Sequence, residues 1–409
     1  MTKWQGYDVK AKKMVDIQNP RVVKLKNGHW AVQGKSGKTG IKVSRTIGNK
    51  KPIKLFDPHY GKAEEKAILN VLNSGYWASG SGLGNVECFE KEMKMYVKSK
   101  DCIAVNSGTA ALNLALSLID IKNKEVILPS LTFVSTAHAV IVNGGIPKFV
   151  DVSSKSLCID TDKIEDSITK KTKVILPVHF GGMACDLDKI ISLSKKFNLT
   201  VIEDAAHAIG TTYKNKKIGT HGTAVCFSFH PVKNLAMPTG GLISINDKNH
   251  KKVRKILHAR RWCGITDRKD YFYDIKELGW NYYMNDFSAA IGRIQLKNLD
   301  KMLKIKKRIA RKYSNEINLD AKMEYNDSCS YHLYWICVKN RNKFMKKMLS
   351  AGIETGIHYK PIHQMSMYSK KQKLESTDKI SNEIVSIPIH QNLSDTNVDR
   401  IIKTINEFC

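Results

Sequence analysis

Three short stretches hold the residue types and spacings that could do chemistry. The first, Asn106-Ser107-Gly108-Thr109-Ala110-Ala111, opens a helical pattern with small and hydroxylated residues. Free backbone N–H groups and the positive end of a helix dipole at such a start suit a phosphate. The second, Glu203-Asp204-Ala205-Ala206-His207, follows the apolar run Val201-Ile202. An acid at the carboxyl end of a central strand lies where open α/β sheets bind ligands, and burial there calls for a cationic partner. A protonated pyridine nitrogen would be one. The third is Ser228-Phe229-His230-Pro231-Val232-Lys233, then Thr239-Gly240-Gly241. A lysine hemmed by Phe229 and Pro231 would be partly desolvated, which lowers its pKa and frees the amine to form a Schiff base. Taken singly, Ser107 reads equally as an N-cap, Asp204 as a helix cap and Lys233 as one solvated lysine among many. Asp204 lies 29 residues before Lys233, one βαβ-sized step, and this argues for reading them together.

The elements that must position these residues follow from periodicity. Val126 to Pro129, Lys173 to His179, Thr200 to Glu203 and Ala224 to Ser228 are nearly continuous apolar runs. Such runs suit strands covered on both faces. Helical patterns lie between them, at Thr109 to Leu118 and Leu187 to Phe197. The alternation predicts an α/β fold with a large, doubly wound, mostly parallel-sheet domain over 51–300. A long helix near 286–317 leads to a smaller α+β domain over 301–409. Residues 1–50 read as a small β module, with runs at Arg21 to Leu25, Trp30 to Gln33 and Ile41 to Ser44 and a linker near Gly48 to Pro52.

In this order the motifs resemble those of the DegT/DnrJ/StrS-type sugar aminotransferases, a family with the type I, aspartate-aminotransferase-like fold. The resemblance covers about residues 53 to 408. It also takes in Gly75 to Gly80, Pro129 to Phe133, Val178 to Gly181, Gly279-Trp280-Asn281, His358-Tyr359 and Ile387-Pro388. It implies pyridoxal 5′-phosphate carried by Lys233, with Asp204 facing the pyridine nitrogen. Gly108, Thr109, Ala110 and Ser228 match the phosphate cup, and Phe133 matches the aromatic that stacks on the ring. His207 matches a place near the 3-hydroxyl, and His230 lies beside the lysine on the sugar side. Asn281 matches an asparagine that reaches the phosphate of the neighbouring subunit, which implies a homodimer with shared active sites. The implied substrates are L-glutamate and a nucleotide-diphosphate keto sugar, aminated most often at C4. C3-amination or another pyridoxal-phosphate reaction on a sugar is the alternative. Ala236-Met237-Pro238 and Tyr283 depart from the family pattern, which leaves the sugar open. A dehydratase branch has His where Lys233 stands, so the lysine argues against that branch.

Composition sets outer bounds. The 409 residues carry a net charge of +29, which would favour anionic substrates. Lys304 to Lys312 read as the wet face of an amphipathic helix whose apolar side holds Leu296, Leu299, Met302 and Leu303. Nine scattered cysteines without a Cys-x-x-Cys pair predict buried free thiols rather than disulfides. No apolar stretch reaches the roughly 20 residues of a membrane span, and the N-terminus lacks the apolar core of a signal peptide, so a cytoplasmic location is expected.

The first fifty residues hold twelve basic and two acidic side chains. They resemble a short zinc-ribbon family whose four cysteines would fall at positions 8, 11, 36 and 39. Asp8, Ala11, Ser36 and Thr39 stand there instead, so no metal is expected. Gly37-Lys38-Thr39 lacks the upstream glycine and the strand–helix setting of a P-loop. Nucleic-acid binding by this basic arm is the non-enzymatic alternative, but no basic pattern interleaved with aromatics supports it. An accessory or oligomerisation role is expected.

Overall fold

The computed structural model describes residues 3–48, 51–78, 80–368 and 372–409. Asn49 and Lys50 of the expected linker and Ser79 of the Gly75–Gly80 motif lie outside them. The chain opens with β1 (Gln5–Asp8), β2 (Lys13–Lys24), β3 (Trp30–Ser36) and β4 (Lys42–Gly48), an antiparallel sheet in sequence order. Sequence periodicity reached the last four residues of β2, the first four of β3 and the first three of β4. It missed β1, whose four residues alternate exposed and buried.

Asp8 is buried at the centre of this module. One carboxylate oxygen accepts the backbone N–H groups of Lys10 and Ala11 at 2.9 and 2.8 Å. The other accepts the hydroxyls of Ser36 and, at 2.5 Å, Thr39. Three of the four positions where a zinc ribbon would place cysteines thus meet through side-chain hydrogen bonds, and Ala11 joins through its N–H. Burial pushes the Asp8 pKa up, but the bonds from Ser36, Thr39, Ala11 and Lys10 override it and lower it to about 2. Beneath lie Trp4, Val15, Ile17, Val32 and Val43, and Leu349 from the C-terminal part completes this core. The Trp4 indole N–H donates to Glu354 at 3.0 Å. The module is docked on the body.

The body begins with α1 (Lys62–Ser74) and α2 (Asn85–Val97), then β5 (Asp101–Val105), α3 (Gly108–Ser117), β6 (Glu125–Pro129), α4 (Ser135–Val142) and β7 (Ile146–Val150). Next come β8 (Thr172–Ile175), α5 (Leu187–Lys196), β9 (Thr200–Asp204) and the small hairpin β10 (Thr212–Tyr213) and β11 (Lys216–Lys217). β12 (Ala224–Ser228), β13 (Gly241–Ile245) and α6 (His250–Arg261) complete the sheet and its cover. Seven strands run in the order β5-β13-β12-β9-β8-β6-β7, and β13 alone is antiparallel to its neighbours. Alternate side chains feed two cores. Cys102, Ala104, Val225 and Phe227 point to one face, whereas Ile103, Val105, Ala224 and Cys226 point to the other. Burial on both faces is why these strands read as unbroken apolar runs. Each Val, Ile or Phe among them contributes about 2 kcal/mol by leaving water.

A hairpin, β14 (Ile265–Lys269) and β15 (Phe272–Ile275), precedes the 31-residue α7 (Asp286–Glu316). The C-terminal part then pairs β16 (Tyr334–Cys337) with β17 (Ile384–Ile387) beside α8 (Arg341–Ser350), α9 (Glu375–Glu383) and α10 (Asp395–Phe408). Two expectations need correction. Lys306 is buried at 4% exposure rather than on the wet face of α7, because it continues the stripe Leu299, Met302, Leu303, Ile309, Ala310, Tyr313. All nine thiols are free, but Cys263 and Cys409 are exposed. Among the described residues no helix is long and apolar enough to cross a membrane.

The Asp8 pKa lies below its ordinary value of 3.8, so its stabilisation is present above pH 4 and is lost between about pH 4 and pH 2. Asp8→Ala should remove it at neutral pH. Amide exchange in Gln5–Asp8 and Trp30–Ser36 should then accelerate on the order of tenfold or more. Hydrogen-exchange mass spectrometry checks this, and unchanged protection would show that the carboxylate does not hold the module.

Candidate active site

The parallel strands point their carboxyl ends to one edge of the sheet, and the loops leaving them wall a cavity of about 350 Å³. Gly108, Thr109, Phe133, Asp204, His207, Ser228, His230 and Lys233 all line it. Ala110 and Asn281 do not. The loop after β5 turns into α3, with Ser107 as N-cap accepting the Ala110 N–H at 3.1 Å. That bond occupies the Ala110 donor, so the N–H groups of Gly108 and Thr109 remain to meet a ligand. A Cβ at Gly108 would stand 2.7 Å from that of Ser228, and one at Gly241 would stand 2.3 Å from the Ser107 carbonyl oxygen. Glycine at both positions lets the helix start approach the end of β12 and the start of β13. The Thr109 and Ser135 hydroxyls add a hydrogen-bonded pair at 2.8 Å.

Asp204 ends β9 and is buried. Its Oδ1 accepts the Ala206 N–H at 3.1 Å, and its Oδ2 accepts the Thr136 hydroxyl at 2.8 Å. Burial nevertheless pushes its pKa up, against the hydrogen bonds from Ala206 and Thr136. No arginine or lysine forms an ion pair with it among the described residues. A cation brought alongside would stabilise the carboxylate, and a pyridinium is a cation of suitable size for the cavity. Glu203, on the opposite face of the same strand, accepts from His179 at 2.8 Å and anchors the strand end.

Lys233 follows β12 in a tight turn closed by its N–H to the His230 carbonyl at 2.8 Å. Phe229 beneath it is fully buried against Phe89, with ring centroids 5.5 Å apart. Desolvation lowers the amine's pKa to about 8, with Asp204 partly offsetting the shift. The amine lies 3.4 Å from His332 Nε2. As the amine is the donor, the imidazole proton sits on Nδ1, which has no partner among the described residues.

His207 accepts the Gly181 N–H at Nδ1 (3.2 Å), so its Nε2–H points to the Tyr359 hydroxyl at 3.1 Å. Burial drives its pKa well below 6.5, with the Lys233 charge adding to the effect, and the same causes act on His332. Burial, followed by Lys233, lowers His358 to about 3 and also lowers His230. Phe133 is 56% exposed at the mouth, with its ring tilted against Tyr359 at 5.9 Å. Asn281 is exposed outside the wall, and its backbone carbonyl accepts from Asn106 at 3.2 Å.

Thr136 and His332 were not foreseen. Thr136 lies 68 residues from the carboxylate it holds, and His332 lies 99 residues from the lysine it touches. No local spacing could have disclosed either. His358 and Tyr359 were visible only as part of a resemblance. The residues present fit pyridoxal 5′-phosphate: free amides at a helix start, a buried acid awaiting a cation, and a desolvated amine share one cavity.

Comparison with known proteins agrees with this chemistry. The model of the DegT/DnrJ/EryC1/StrS aminotransferase family matches residues 58–406. The spore coat polysaccharide biosynthesis protein SpsC of Bacillus subtilis is 35% identical over 374 residues, 86% of this chain and 95% of that protein. The GDP-perosamine synthase of Escherichia coli O157:H7 is 32% identical over 366 residues, 88% of this chain and 99% of that protein. Among solved structures, PseC of Helicobacter pylori, an aminotransferase involved in the biosynthesis of pseudoaminic acid, superposes with a TM-score of 0.81. It is 26% identical, over 88% of this chain and 99% of that one. Spr1654 of Streptococcus pneumoniae in its PMP-form gives a TM-score of 0.82 at 26% identity, over 87% of this chain and 97% of that one. The chain belongs to the DegT/DnrJ/EryC1/StrS aminotransferase family and is a PLP-dependent sugar aminotransferase with the type I fold.

Proposed function

We propose that this enzyme moves an amino group from glutamate to C4 of a nucleotide-diphosphate keto sugar, with Lys233 as the lysine that holds the cofactor and moves the proton. The observation that carries this reading is a desolvated amine and a buried carboxylate in the same cavity. The cofactor, when bound, supplies an aldehyde that takes up the amino group and a ring that draws electrons from the donor's Cα. Asp204, oriented by Thr136, would hold the ring nitrogen in its protonated form. Gly108 and Thr109 offer backbone N–H groups to the phosphate, with the Ser228 hydroxyl beside them. Phe133 at the mouth would cover the cofactor, and the hydrogen-bonded His207–Tyr359 pair would offer it polar contacts. Lys233 Nζ would carry the proton to and from the substrate carbon that bears the amino group. An amine with a pKa of about 8 can both accept and give that proton near neutrality. His230, kept neutral by desolvation and by Lys233, faces the sugar.

A homodimer suits Asn281, whose side chain lies outside its own cavity. Phe272 and Leu278 nearby are 81% and 80% exposed, an apolar surface of the kind that partner subunits cover. A nucleotide-diphosphate sugar also suits a chain of +29 net charge.

Four outcomes are expected. Borohydride reduction of the cofactor-loaded enzyme, followed by peptide mapping, should place the label on Lys233. Lys233→Ala should lose turnover by about a thousandfold or more. Cofactor capture by the cofactor-free protein, followed by its visible absorbance, should rise with pH and level off above about 8; a rise continuing towards pH 10 would mean that the amine is an ordinary one. With glutamate and a panel of keto sugars, mass spectrometry and NMR of the product should show the new amine at C4, and an amine at C3 would replace this reading with the alternative.

A further inference from the structure

Lys306 is a lysine buried in α7 with no acidic partner among the described residues. Its amine donates to Asn234 Oδ1 at 2.7 Å and to the Tyr331 carbonyl at 3.3 Å. Asn234 in turn donates to the Ser330 carbonyl at 2.9 Å. Ser330 is held from its other side by Thr211, whose hydroxyl donates to Ser330 Oγ at 2.8 Å and receives the Ser330 N–H at 3.2 Å. Burying an amine is costly unless hydrogen bonds compensate, and a methionine or leucine would fill this stripe of α7 without that cost. What the lysine adds is its two partners. Asn234 is the residue after Lys233, and Tyr331 is the residue before His332. One amine therefore bridges the Asn234 side chain and the Tyr331 carbonyl, on the two segments whose Lys233 and His332 side chains meet at 3.4 Å in the cavity. Burial lowers the Lys306 pKa to about 7.

We propose that Lys306 is a positioning residue that acts through Asn234 and Tyr331 to hold Lys233 against His332 in its desolvated setting. This rests on Lys233 being the cofactor lysine. Without the clamp, the turn after β12 and the Ser330–His332 segment move apart, water reaches the Lys233 amine, and its pKa rises towards 10.5.

The test uses the full chain and Lys306→Met, with Asn234→Ala as a second variant that opens the same clamp from the other side. Competitive labelling of the cofactor-free protein across a pH series, read by mass spectrometry, gives the titration of the Lys233 amine directly. It should move up by about one pH unit from wild type in either variant. In the loaded enzyme, kcat should fall about 10- to 100-fold with KM for the sugar little changed, as misplacing a reacting group by about 1 Å does. The double variant should fall no further than the worse single one. Thermal melting selects the variants that fold, and one folded variant suffices. An unchanged Lys233 titration with unchanged kcat overturns the proposal, as does a fall in kcat that is simply additive. Borohydride mapping to a lysine other than Lys233 would instead remove the reading on which the proposal rests.

Discussion

The site depends on a buried carboxylate and a buried amine that share one cavity and are each pushed away from their charged forms. Burial raises the pKa of Asp204 and lowers that of Lys233, and the Coulombic attraction between the two only partly offsets it. Left alone, this arrangement holds two groups short of solvation. A ring that presents a cationic nitrogen to the acid and an electrophilic carbon to the amine resolves both deficits at once. The fold supplies the geometry because β9 and β12 are adjacent parallel strands with Ala224 opposite Ile202 and Cys226 opposite Asp204, so their carboxyl ends open on the same crevice.

How much of this could be read from the chain depended on the distance over which each contact acts. The strands Glu125–Pro129 and Ala224–Ser228 and the long helix were legible because two-sided burial and a 3.6-residue stripe leave local patterns. Asp204 and Lys233 were legible because each ends or follows such a strand. Thr136 and His332 act across the fold and left no local mark. Lys306 is instructive in a different way. Its spacing from Met302 and Leu303 already placed it on the buried face, and its residue type argued the opposite. Position was the better guide, because two polar partners on other elements satisfy the buried amine.

The N-terminal module is likewise held by hydrogen bonds to a buried polar group. One carboxylate there gathers two hydroxyls and two backbone amides. Such a cluster needs the surrounding strands to bring Ser36 and Thr39 to Asp8, whereas a metal would pull the loops together. The dependence on a completed core explains why Leu349 and Glu354 of the body take part in the module's packing. The relatives described above align with about 86 to 88% of the chain, so the module is added to a site that is complete in its wall without it.

The charge inside the wall carries the argument one step further. Lys233 is the only lysine or arginine among the described residues lining the cavity, although the chain as a whole is strongly basic. His207 and His358 in the wall, and His332 behind the lysine, are held neutral by burial and by the charge of Lys233. Neutral imidazoles can orient hydroxyls without competing with a ring nitrogen for Asp204, which keeps the one strong cation–anion pairing for the cofactor. A phosphate met only by backbone amides and hydroxyls is then under-compensated within a single chain. On the proposed reading, the balance is made up from outside the wall. The exposed Asn281, set beside an uncovered apolar hairpin, is where a second subunit would contribute it.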